Sequence, residues 1–403
     1  MNASLETPAE QTARQPALWS SLRALPRAAW ILCFGTFLNK FGTFVVPFLT
    51  LYLTGRGYTV GQAGVAVGAY GAGNLLASLL GGHLADRIGR RWTIVFSMFS
   101  GAAAMLLLSQ ARGFPAILLM TMLAGLTNEF YRPASTALLA DVVPKPAERV
   151  TAFATLRMAF NAGFAFGPAT AGFLVAFGYF WLFAGNAVAS VLFGLVALFA
   201  LPRLMHARHE NAGWGRALGV LRRDRKLHRL LLANFAIGVL FNQMGSTYGL
   251  HVTRQGFSPA VYGAVLSLNG VLVVLIELPL TTLTRKFPAR LVMAAGYAVC
   301  GIGYGLNAFA HSVPALVACM VLFTFGEMIT MPTVMAYLAN LAPPDMRGRY
   351  MGVSGLTWAT ALILGPGLGM KLFTENPAAY WIVSAALGLF AAVVISGATD
   401  EHR

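Results

Sequence analysis

From residue 29 to residue 397 the chain alternates long apolar stretches with short polar ones. Twelve apolar stretches are marked out. Six lie at 29–53, 60–84, 92–110, 115–140, 150–177 and 179–201, and six at 228–252, 259–284, 289–310, 314–341, 347–373 and 378–397. Each holds about 20 residues or more, the number an α-helix needs to cross the hydrocarbon core of a bilayer. Charged residues make up only 11% of the 403, against about 25% in an ordinary soluble domain. A chain this long and this poor in charge cannot cover its surface against water, and its mean hydropathy is +0.66. The pattern predicts an all-α membrane protein with twelve transmembrane helices, and it names the lipid bilayer as a partner.

The polar punctuation sets the domain plan. A tail at 1–28 precedes the first run, and no small-residue cleavage site follows that run, so it is expected to stay in the membrane. One long polar segment, 202–227, separates an N-terminal unit at 29–201 from a C-terminal unit at 228–397, with a short tail at 398–403. The net charge of +15 does not predict nucleic-acid binding, because the basic residues are spread over short loops rather than clustered on a soluble domain. Twenty-two Lys and Arg fall on the side of the N-terminal tail, four on the other, and three within the spans. The bias of basic residues toward the cytoplasm predicts that both termini lie inside a bacterial inner membrane.

The two units are copies. Pro133-x6-Ala140-Asp141-x2-Pro144 recurs 199 residues later as Pro332-x6-Ala339-Asn340-x2-Pro343. Gly167-Pro168 recurs as Gly365-Pro366, and Arg87 as Arg285, both at an offset of 198. Parallel repeats with a site between them near the bilayer midplane are a transporter architecture.

Between the second and third spans stands Gly82-His83-Leu84-Ala85-Asp86-Arg87-Ile88-Gly89-Arg90-Arg91. Gly89 suits a sharp turn, and Asp86 can pair with an Arg or face a helix N-terminus. The whole string resembles the signature loop of the major facilitator superfamily, and the resemblance runs the length of the chain through the twelve spans and the long middle segment. It implies two pseudo-symmetric six-helix bundles, a central cavity lined mainly by spans 1, 4, 7 and 10, and alternating access by rocking. It also implies that Gly82, Asp86, Arg87, Gly89, Arg90 and Arg91 latch against the start of span 11 and the end of span 4, with Asp141 and Arg149 in a supporting charge network. The copy around Arg285 lacks the Asp and both Gly. In span 5, Gly163-x3-Gly167-Pro168-x3-Gly172 has small residues that let helices approach closely, and Pro168 permits a bend. This stretch looks like the glycine-proline motif of the superfamily's antiporters and drug exporters, although one glycine of the usual pair is Ala171. The exporters' span-4 arginine would fall at Thr121, so Arg132 is not that residue.

Charges at membrane depth are costly and normally face a cavity or a partner. Lys40 in span 1 and Glu129 and Arg132 in span 4 are expected to form one cluster, because residues three apart share a helical face. Glu327 in span 10 and Glu277 in span 8 have no evident basic neighbour in their own unit. Burial disfavours a carboxylate's charged form, so such groups can load and release a proton, and Glu327 is the favoured coupling residue. Asn242 and Gln243, with Asn234, Ser246, Thr247 and Tyr248, give span 7 a polar row to meet a substrate. Phe130, Tyr131 and Trp358 are candidate aromatic contacts. Arg157 in span 5 is expected to reach toward the cytoplasmic interface, and His251 marks the far end of span 7. Cys33, Cys300 and Cys319 lie in apolar runs without metal-ligand spacing and read as small core residues.

These residues predict a secondary transporter that exports a small organic molecule in exchange for protons. The alternative is proton-coupled uptake of a small anionic or zwitterionic metabolite, suggested by the excess of Lys40 and Arg132 over Glu129. No cofactor, metal, nucleic acid or obligate protein partner is implied. A membrane-embedded enzyme would need a metal cluster or nucleophile–base pair, and no H-E-x-x-H, G-x-S-x-G or G-x4-G-K-[ST] string occurs.

Overall fold

The computed structural model describes residues 22–23, 25–143, 145–202, 223–343 and 346–397, and these carry helices and no β-strand. Ten helices among them are long and apolar enough to cross a membrane, and an eleventh span is the bent pair Arg225–Met244 and Thr247–Arg254. The twelfth is the fourth in chain order, built as two helices, Phe114–Glu129 and Tyr131–Val142. The marked runs are therefore all helical, with boundaries shifted by a few residues. Span 7 starts at Arg225, inside the expected linker, because Asp224 accepts a hydrogen bond from the Leu227 amide at 2.9 Å and caps the helix. The rest of that linker and both expected tails lie largely outside the described residues.

Three spans are interrupted where a continuous helix was expected. Span 1 divides into Arg27–Phe41 and Val45–Gly55. Pro47 has no amide hydrogen for the carbonyl four residues earlier, at Thr43, so the ladder fails there. Pro133 has the same effect on the Glu129 carbonyl, and span 4 breaks at Phe130. Span 7 has no proline and bends by 41° at Gly245–Ser246. There Ser246 Oγ donates to the Asn242 carbonyl at 2.8 Å.

Within the first half, span 2 packs on span 4, span 3 on spans 4 and 6, and span 6 on span 1. Within the second half, span 9 packs on spans 10 and 12, and span 8 on span 10. The halves meet along two helix pairs, span 5 (Pro146–Leu174) with span 8 (Pro259–Thr284), and span 2 (Val60–Ile88) with span 11 (Arg347–Glu375). Small residues make these approaches possible. A Cβ on Gly64 would lie 2.8 Å from Gly367 Cα, and one on Gly172 would lie 2.7 Å from the Pro259 carbonyl oxygen. Both contacts sit at the helix ends farthest from the loop that carries Arg87, Arg90 and Arg91. We call the loop's side the basic face. The bundles are thus closed together at the opposite face and part toward the basic one.

Candidate functional site

Two chambers lie between the bundles. The central one, about 310 Å³, is walled by Thr43, Asn161, Phe164, Phe241, Asn242, Asn269 and their neighbours. The other, about 440 Å³, extends toward the basic face between Tyr131, Arg132, Ser135, Arg157, Glu277 and Met335. Phe160, Asn161, Val273 and Glu327 line both, so the chambers form one path. Spans 5 and 8 contribute as much of the wall as spans 1, 7 and 10. Span 4 reaches only the basic-side chamber. This differs from the expected lining because spans 5 and 8 form one of the pairs along which the halves meet.

Glu327 stands where the chambers join. It is the one charged side chain in the central chamber among the described residues. Its Oε2 accepts from Asn269 Nδ2 at 2.6 Å, and that amide also reaches Thr324 Oγ1 at 3.0 Å. The carboxyl expected to be without a partner thus has a neutral one. Thr324 is one helical turn before it on span 10, and Asn269 comes from span 8, which packs on span 10. Span 7 delivers Asn242 to the same wall, its amide nitrogen donating to the Gly238 carbonyl at 2.8 Å.

Glu277 does have a basic partner, drawn from the other half. Arg157 Nη2 and Glu277 Oε1 are 2.6 Å apart, joining spans 5 and 8 in the wall of the basic-side chamber. This leaves Glu277 without a basic neighbour in its own unit among the described residues, as expected, and corrects the expectation for Arg157, which turns inward to the carboxylate rather than out to the interface. The pair was missed because its members are 120 residues apart and share no motif. The available signal was that each is a lone mid-span charge, of opposite sign, on helices that pack together.

The expected cluster of three charges is divided. Lys40 Nζ and Glu129 Oε1 pair at 3.1 Å with only 9% of either side chain exposed. The ammonium lies 5.0 Å from the Phe160 ring centre and 5.7 Å from that of Tyr131, favourable cation–aromatic distances. Those rings face the chambers, while Lys40 and Glu129 are behind them and line neither. Arg132 is exposed and lines the basic-side chamber. The break at Phe130 ends the straight helix on which three-residue spacing would have kept it beside Glu129.

Gln243 is drawn off the path too. Its Nε2 donates to the Gly365 carbonyl at 2.7 Å and its Oε1 accepts from Thr247 Oγ1 at 2.6 Å, tying span 7 to span 11. Asn234 Oδ1 accepts from Tyr297 Oη at 2.8 Å. His251 is buried beside Trp381, with Gln255 Nε2 at 2.7 Å. Of the expected aromatic contacts, Tyr131 lines the basic-side chamber, whereas Trp358 packs edge-on against Phe241. The three cysteines are free and buried.

At the loop, Gly89 has φ +96°, a conformation that favours glycine, and the chain turns sharply from span 2 into span 3. Arg90 forms an ion pair with Asp141 and donates to the Ala137 carbonyl at 2.6 Å, both near the end of span 4. Arg91 donates to the Leu198 carbonyl of span 6. Arg149 Nε donates to the Val143 carbonyl at 2.7 Å, so it holds the backbone rather than a carboxylate. Asp86 and Arg87 are exposed, and nothing lies within 4 Å of a Cβ built on Gly82. The loop is therefore anchored to the end of span 4. In span 5, Gly163 and Gly167 pack on the backbone of Phe37–Phe41, and Gly172 packs on span 8. The glycine-proline stretch touches both halves.

The family model described as Major Facilitator Superfamily matches residues 32–273 and 245–402. A Na(+), Li(+), K(+)/H(+) antiporter of Planococcus maritimus is 26% identical over 365 residues, 82% of this chain and 85% of that protein. Multidrug resistance protein MdtH of Aeromonas hydrophila is 27% identical over 378 residues, 91% of this chain and 94% of that protein. Among solved structures, a peptide transporter POT in complex with sulfate superposes with a TM-score of 0.76, covering 95% of this chain and 98% of that one. Its 16% identity speaks to the fold alone. Twelve spans in two bundles, a path between them and the match of both halves to one family make this chain an integral membrane transporter that belongs to the Major Facilitator Superfamily.

Proposed function

We propose that the chain is a proton-coupled exporter of a small organic molecule, an antiporter working by alternating access rather than an enzyme. The observation that carries this reading is Glu327, the lone charge of the central chamber, standing where the two chambers meet. Its hydrogen-bond partner, Asn269, is neutral and cannot cancel a carboxylate's charge. A single carboxylate in such a chamber holds either a proton or the positive or hydrogen-bonding group of a substrate. Exchange of one for the other is the elementary step of antiport. The basic bias of the loops supports a basic face, and both termini, on the cytoplasmic side of a bacterial inner membrane. A path open to that side is the loading state of an exporter. The relatives named as a cation/proton antiporter and as a multidrug resistance protein agree with this reading.

A second reading, uptake of a small anion or zwitterion together with protons, is favoured by Arg132, exposed in the wall of the basic-side chamber. Inverted membrane vesicles with an acidic interior separate the two. Export appears as gradient-driven accumulation inside them, and uptake as its absence. Glu327→Gln is expected to abolish gradient-driven accumulation while leaving expression intact. Full proton-driven transport in that variant would sink the role given to Glu327.

A further inference from the structure

We infer that Tyr262 is a positioning residue for the transport cycle, a hydroxyl that clasps the two bundles at the opposite face and keeps a partner when they part. The inference rests on the alternating-access part of the reading above and on neither its direction nor its proton.

Tyr262 is wholly buried near the start of span 8. Its hydroxyl lies 2.9 Å from the Pro47 carbonyl oxygen of span 1 and 2.9 Å from the Met244 carbonyl oxygen of span 7. Its ring stands edge-on to Phe48 with centres 5.1 Å apart, and it backs onto Gly249, where a Cβ would meet the ring at 3.2 Å. One side chain thus touches the outer half of span 1, in the first bundle, and both sides of the bend in span 7, in its own.

The two acceptors are not equivalent. A straight helix would have satisfied the Met244 carbonyl with the amide of Tyr248. The bend at Gly245–Ser246 interrupts that ladder, and the hydroxyl supplies a donor in its place. Pro47 lies inside the helix Val45–Gly55, whose own ladder serves its carbonyl. A phenolic hydroxyl has one proton to donate, so the two carbonyls share it. When the opposite face opens, Pro47 withdraws with the first bundle. The proton then belongs to Met244, and neither the hydroxyl nor the carbonyl at the bend is orphaned in low dielectric. Parting therefore costs the shared contact and leaves no unsatisfied polar group behind, which makes the opposite face reversible rather than merely shut.

The test is Tyr262→Phe, which keeps the ring and removes the donor. It is made in a chain whose native Cys33, Cys300 and Cys319 are replaced by Ala. Val46→Cys reports the central chamber and Met335→Cys the basic side, each labelled by a membrane-impermeant maleimide from one face of oriented proteoliposomes, without substrate or pH gradient. Y262F is expected to raise opposite-face labelling at position 46 about twofold, the shift that the shared contact with Pro47, a fraction of one hydrogen bond, commands, and to lower basic-face labelling at 335. That reciprocal change is one a merely structural loosening does not produce. Unchanged labelling, a rise at both positions, or loss of folded protein overturns the inference. So does an equal reciprocal shift in Phe48→Leu, which trims the ring contact and leaves the hydroxyl.

Discussion

Lys40 and Glu129 meet at 3.1 Å behind Phe160 and Tyr131, each at the end of a half-helix that stops just beyond it. Lys40 belongs to the last turn before the break in span 1, where a cation is favoured by the carbonyl end of the helix. The second carboxylate oxygen of Glu129 has no hydrogen-bond partner among the described residues, so the pair is held by one contact and by exclusion of water. Removing one member of such a pair strands a buried charge and costs about 3–5 kcal/mol, whereas replacing both with apolar groups is close to neutral. Lys40→Met is therefore expected to lower the thermal unfolding midpoint by several degrees, and Lys40→Met with Glu129→Leu to restore most of it. A double variant no more stable than the single one would show that the two residues act apart. This pairing was legible in the sequence, since opposite charges at like depth in spans of one bundle have few other partners. The position of Arg132 was not, because it depends on a break that Pro133 imposes between the two residues. Tyr262 was invisible for a different reason: nothing in a tyrosine at the start of a span says that two carbonyls will converge on it.

At the level of the helices, breaks and glycines divide the labour. Pro47 and Pro133 interrupt the spans that hold the buried pair, while the glycines of spans 2, 5, 8 and 11 let the bundles close. A Cβ on Gly263 would meet the Pro168 carbonyl of span 5, a backbone group that cannot rotate aside. Overpacking of this kind costs about 1–3 kcal/mol. Gly263→Ala is expected to cut initial transport rates roughly tenfold per reconstituted protein. Gly352→Ala in span 11, where nothing lies within 4 Å of the added methyl, is the silent control. Equal rates in the two variants would remove the helix contact from the cycle. The glycine-proline stretch was legible as a packing motif. That it touches span 1 through Gly163 and Gly167 and span 8 through Gly172 was not, because spacing fixes a face and does not name its neighbour.

Across the whole molecule, closure is seen at one end. The structure is joined at the opposite face, and Arg90 ties its basic-face loop to Asp141 and Ala137 of the first bundle. Asp86 is exposed, and the latch role proposed for it belongs to a state in which the basic face has closed. Asp86→Asn is expected to leave the unfolding midpoint within about 0.5 kcal/mol of the parent, as for other surface changes, while turnover falls. Turnover equal to the parent's would remove Asp86 from the latch. The two-bundle plan was the most legible layer, since apolar runs, basic bias and three repeated strings all speak of it. The state of the cycle was the least legible, because one sequence must serve every state. The closed opposite face also bears on inhibition. A blocker shaped to the two chambers meets this form only from the compartment that the basic face addresses. Compounds added from the other side must cross the lipid first, and a screen from that side would rank them by permeability as much as by fit. A binder raised against the joined face would act by a different route, holding the carrier in one shape without ever entering the path.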